Sequence, residues 1–80
     1  MSYVNLSGSQ IGDAELVHLE GLADVEVLDL SGTRVTDAGL ERLKGLTGLQ
    51  MLILDGARVT QGGVQLLREA LPQTTILYRQ

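Results

Sequence analysis

The chain has 80 residues, with 6 Lys and Arg against 10 Asp and Glu, a formal net charge of −4, one His and no Cys. Eighty residues make one small domain, spanning 1–80; without cysteine there are no disulfides or thiolate metal sites, and His18 alone builds no metal site. The interspersed, net negative charge argues against nucleic acid or an anionic membrane as partner, and no apolar run is long enough for a membrane span or a signal peptide, which favours a cytoplasmic location.

The first predicted element is a short strand. Val4 and Leu6 alternate with Asn5 and Ser7, the period of a strand that buries one face. Gly8 follows where the chain must turn. Leu16 and Leu19 then recur at i, i+3, which predicts a short helix starting after Gly12, with Asp13 in its first turn, where a negative charge suits the helix dipole. Gly21 reads as the helix C-cap.

The same order returns twice. Leu28 and Leu30 predict the second strand, Gly32 its turn, Thr36 an N-cap with Asp37 behind it, Leu40 and Leu43 the helix, and Gly45 its C-cap. Leu52 and Leu54, Gly56, Thr60, and Val64 with Leu67 predict the third set. That set lacks the closing Gly, so its helix is expected to run about one turn further and stop at Pro72. Ile76 and Tyr78 keep the spacing as a last strand, in a polar ending.

These elements fall into a 24-residue register. Val4, Leu28, Leu52 and Ile76 share one column; Leu6, Leu30, Leu54 and Tyr78 share the next; Ile11, Val35 and Val59 form a third. Leu22, Leu46 and Ala70, then Val25, Leu49 and Gln73, complete the apolar pattern, which only Gln73 breaks. A strand–helix unit this short cannot bury its own apolar edge, whereas stacked units bury it as one continuous core. The expected fold class is therefore α/β: three units, at about 3–26, 27–50 and 51–74, plus a terminal strand at 75–79. The strands form a parallel sheet along a concave face, joined by right-handed crossovers.

The columns resemble the leucine-rich repeat, in the form Val25-x-x-Leu28-x-Leu30-x-x-Thr33-x-Val35 and again Leu49-x-x-Leu52-x-Leu54-x-x-Ala57-x-Val59. Val35 to Leu40, V-T-D-A-G-L, resembles the bacterial subclass with that signature. The resemblance covers essentially the whole chain and implies a leucine-rich repeat solenoid. Where the family carries a ladder Asn, this chain has Ser9, Thr33 and Ala57. Ser and Thr do part of the work of an Asn amide and Ala57 does none, so this column is expected to be the weakest part of the ladder, with backbone bonds or water compensating.

The face of such a sheet is lined by the outward strand residues. Val27, Met51, Ile53 and Leu77 make an apolar centre, and Tyr3, Asn5, Asp29 and Asp55 supply polar edges, a composition that fits a protein-binding surface. Asp29 and Asp55 stand in different columns with no His or third acid near them in sequence, so they do not read as a catalytic or metal pair. His18 falls in a helix column outside the core and reads as solvated. Arg34 and Arg58 share a column and suit an anion clamp, but the reading of solvated arginines among acids is the stronger. No nucleophile–base pair, phosphate loop or cofactor motif occurs. The expected function is a non-catalytic module that binds a protein partner on its concave sheet, without cofactor. The alternative is a self-associating structural or engineered repeat fragment, oligomerising through an uncapped N-terminal edge at Val4, Leu6 and Ile11.

Overall fold

The computed structural model of the protein describes residues 3–19 and 24–79. Among these residues, four short strands alternate with three helical segments: β1 (Tyr3–Asn5), a 3₁₀ helix (Asp13–Leu19), β2 (Val27–Asp29), α1 (Asp37–Leu43), β3 (Met51–Ile53), α2 (Gln61–Ala70) and β4 (Thr75–Leu77). The strands form one parallel sheet in the order β1-β2-β3-β4. Their register is the 24-residue shift itself: Val4 lies opposite Leu28, Leu28 opposite Leu52, and Leu52 opposite Ile76. The described chain is thus an α/β stack in which β1, β2 and β3 are each joined by a crossover to the next strand.

The core lies between the sheet and the helices. Leu28, Leu30, Leu52 and Leu54 meet Leu16, Leu40, Leu43, Val64 and Leu67 in one buried cluster, closed below by Val25, Leu46 and Leu49. Its aliphatic character follows from a sequence with no Phe or Trp. Val4, Leu6, Ile11 and Leu19 pack against this cluster but stay half-buried. The expected core position Leu22 and the expected C-cap Gly21 lie outside the described residues.

Gly8, Gly32 and Gly56 turn the chain after the first three strands at φ of 72°, 67° and 76°, where a side chain would be strained. Their amides hold the turns together across units: Gly8, Gly32 and Gly56 N–H donate to the carbonyls of Ser31, Asp55 and Arg79 at 2.8, 2.9 and 3.1 Å. Gly45 differs from expectation. It follows the α1 C-cap Lys44 but does not adopt the left-handed conformation. The helix closes instead through Leu46 N–H on Leu43 O at 3.0 Å, an i→i+3 bond that requires no positive φ.

The third unit departs from the fixed register. α2 has 10 residues against 7 in α1, so the apolar slot after Leu67 is taken by Leu71, fully buried, while Ala70 is exposed. The slot of Leu49 is likewise taken by Thr74, whose hydroxyl donates to Leu49 O at 2.7 Å; Gln73 points out and donates its amide to Thr47 O at 3.0 Å. The extra residue is absorbed before β4, and Ile76 is back in register with Leu52.

The column Ser9, Thr33, Ala57 does not bond along the stack through its side chains. Ser9 and Thr33 hydroxyls donate back within their own units, to Leu6 O at 2.6 Å and Leu30 O at 2.7 Å. Ala57 keeps the backbone version of that bond, N–H to Leu54 O at 3.0 Å, matching those of Ser9 and Thr33. Units are tied at this level by the next residue along, with Arg34 N–H on Ile11 O and Arg58 N–H on Val35 O. The third carbonyl of that row, Val59 O, accepts the Tyr78 hydroxyl at 2.9 Å.

Candidate functional site

Alternation along each strand puts one residue into the core and its two neighbours on the face away from the helices. Leu28, Leu52 and Ile76 point inward, and Tyr3, Asn5, Val27, Asp29, Met51, Ile53, Thr75 and Leu77 line the open face. Val27 lies beside Met51, and Ile53 beside Leu77, in adjacent strands. Tyr3 and Leu77, at opposite ends of the sheet, are 57% and 42% exposed, while Val27, Met51 and Ile53 are partly covered by their neighbours. All eight residues predicted for this surface therefore lie on it or, for Asp55, at the turn that ends β3.

The polar members are partly engaged. Asn5 Oδ1 accepts both the N–H and the hydroxyl of Ser7, at 3.0 and 2.7 Å, and Asp29 Oδ1 accepts Ser31 N–H at 3.0 Å. These are local side-chain turns that end the strands. Asp55 Oδ2 pairs with Arg79 Nη2 at 3.3 Å, one unit on, while Asp55 Oδ1 is the sole buried side-chain oxygen or nitrogen without a hydrogen-bond partner among the described residues. Just before β2 and β3, Glu26 Oε2 accepts the Gln50 amide at 3.3 Å.

A second constellation joins the units at their helix starts. Thr36 donates its backbone N–H to Asp13 Oδ1 at 2.7 Å and its hydroxyl to Asp13 Oδ2. Thr60 makes the same pair of bonds to Asp37, at 2.8 and 2.5 Å. The two threonines also cap their own helices, accepting Ala38 N–H at 3.3 Å and Gly63 N–H at 3.2 Å. The capping role of Thr36 and Thr60 was legible in the sequence; the reach of each Asp to the following unit was not. Gly39 and Gly63 complete the arrangement: a Cβ at either position would overlap the carboxylate of Asp13 or Asp37. The recurrence of Asp13 and Asp37 one unit before Thr36-x-x-Gly39 and Thr60-x-x-Gly63 is the signal that carried this pairing.

Between α1 and α2 lies an open groove of about 310 Å³, walled by Leu40, Leu66 and Leu67 with Glu41 and Lys44 at its rim. Lys44 Nζ and Glu41 Oε2 pair there at 2.9 Å. His18, Arg34 and Arg58 are exposed, in keeping with a solvated reading. Among the described residues there is no group of three His, Cys, Asp or Glu able to hold a metal ion, and no helix is long and apolar enough to cross a membrane. Neither a family model, nor a curated protein, nor a solved structure matches the chain.

Proposed function

We propose that the chain is a leucine-rich repeat solenoid acting as a non-catalytic interaction module, which binds a protein partner on the open, concave side of its sheet. The observation that carries this reading is the pair of apolar contacts Val27 beside Met51 and Ile53 beside Leu77, spread over three strands of one face with Tyr3, Asn5, Asp29 and Asp55 around them. An apolar centre with polar edges is what a protein partner buries on binding. Peptides selected against the chain from a random display library test it. Binders are expected to lose affinity for the Met51→Asp/Ile53→Asp variant at least tenfold, with its circular dichroism unchanged. Binders that hold equally to both proteins count against the surface.

A second reading, self-association through the first unit, has one observation in its favour. Val4, Leu6 and Ile11 are half-buried, whereas their counterparts Leu28, Leu30 and Val35 are at most 1% exposed. Light scattering over a wide concentration range separates the two: a defined oligomer dispersed by Leu6→Glu supports association, and a monomer at the highest concentration supports partner binding.

A further inference from the structure

The helix starts of the three units solve the same problem in two ways. The residue just before each helix carries a backbone N–H with no partner inside the helix. In the second and third units that N–H belongs to Thr36 and Thr60 and is taken by the preceding unit's aspartate. In the first unit it belongs to Gly12, and Glu15 of the same unit takes it, Gly12 N–H to Oε1 at 2.6 Å. This is one half of a capping box, in which a glutamate at the third helical position reaches back to the cap amide. Glu15 occupies the position of Gly39 and Gly63, where any Cβ would stand in the place of an incoming carboxylate.

We infer that the aspartate–threonine pairs form a stacking code with a stop built into the first unit, and that Glu15 is its specificity-determining residue. Thr and Gly three residues apart make a socket whose N–H and hydroxyl donate, and the Asp of the preceding unit supplies the accepting carboxylate. Glu15 closes the socket of the first unit by filling the slot and satisfying the amide internally, while Gly12 removes the hydroxyl. Gln61, in the column of Asp13 and Asp37, leaves the third unit without a carboxylate to offer. A neighbouring unit that fits the later units through a carboxylate is thus refused by the first one.

A four-chain cycle tests this. A duplicate of residues 27–50, which carries a copy of Asp37, is inserted between Ser2 and Tyr3 of the full chain, in register. It is made with and without Gly12→Thr/Glu15→Gly, and both substitution states are also made without the insertion. Thermal melts of the four give the coupling between insertion and substitutions. The insertion is expected to raise Tm by about 5 °C more in the Gly12→Thr/Glu15→Gly background than in the native one, the size of one capping latch in a domain of this length. Asn in place of the duplicate's Asp is expected to remove most of that difference. A coupling of zero or of opposite sign, or one that survives the Asp to Asn change intact, overturns the inference.

Discussion

Thr60 gives both its backbone N–H and its hydroxyl to one carboxylate, that of Asp37, 23 residues earlier in the chain. The aspartate therefore does more than complement its own helix dipole. It holds the start of the next helix, and through it the spacing of the helical layer.

Asp37→Ala is expected to destabilise the protein by about 1–2 kcal/mol, because it leaves the cap amide to solvent and frees the Thr60 hydroxyl. Asp37→Asn keeps one acceptor oxygen and is expected to lose about half as much. Urea denaturation followed by circular dichroism measures both; equal stability of Asp37→Ala and the parent chain refutes the latch as a stabilising element.

The two adjacent glycines of α2 are expected to respond in opposite directions. A Cβ at Gly62 meets only Thr60 Oγ1 at 3.8 Å, so Gly62→Ala gains about 0.5–1 kcal/mol from helix propensity. A Cβ at Gly63 displaces the Asp37 carboxylate, so Gly63→Ala loses about 1–2 kcal/mol despite the same propensity gain. In an Asp37→Ala background the cost of Gly63→Ala is expected to fall by at least half, since the latch it breaks is already gone. Additive costs would show that Gly63 is required for another reason.

Leu71→Ala is expected to cost about 2–5 kcal/mol, as for any fully buried leucine, while Ala70→Ser stays within about 0.5 kcal/mol. A strict 24-residue alignment predicts the reverse order, so the pair of melts reads directly which residue closes the third layer.

Tyr78→Phe removes the hydroxyl that meets Val59 O and is expected to cost about 1 kcal/mol. Hydrogen exchange is expected to speed up first in β4, the strand next to that contact, with little change in β2. Uniform acceleration across the sheet would argue that the bond is no local clamp.

The alternation of Leu28 and Leu30, the i, i+3 leucines and the glycine turns were enough to order the strands and fix their register, because each of these signals is local and recurs. Ala70 and Gln73 were misassigned because a constant shift assumes that every unit has the same length. A helix one turn longer moved the apolar slot to Leu71 and put Thr74 in place of a leucine, with its hydroxyl satisfied by Leu49 O. Ser9 and Thr33 looked like substitutes for an amide ladder, yet a short hydroxyl finds its nearest carbonyl within its own turn. Asp13 and Asp37 were legible as first-turn acids but not as latches, since nothing in a local window shows that an acid points to a neighbour 23 residues away. On the sheet, seven of the eight residues named for the open face stand on its strands, because strand alternation is local; Asp55 stands at the turn after β3. The internal engagement of Asn5, Asp29 and Asp55 depends on turn geometry that strand periodicity does not contain.

The glycine turns have a mechanical consequence. After β1, β2 and β3, Gly8, Gly32 and Gly56 set the distance between units by backbone bonds alone; a Cβ added at Gly32 would lie 3.6 Å from Gly8 N, and one at Gly56 3.5 Å from Gly32 N. At the helix starts, Asp13 and Asp37 set it again through Thr36 and Thr60. A stack pinned along both rows has little freedom to bend about its strands. Its open face keeps one shape, so the partner proposed for that face would have to match it as it stands, and would lose little of its affinity to ordering this chain.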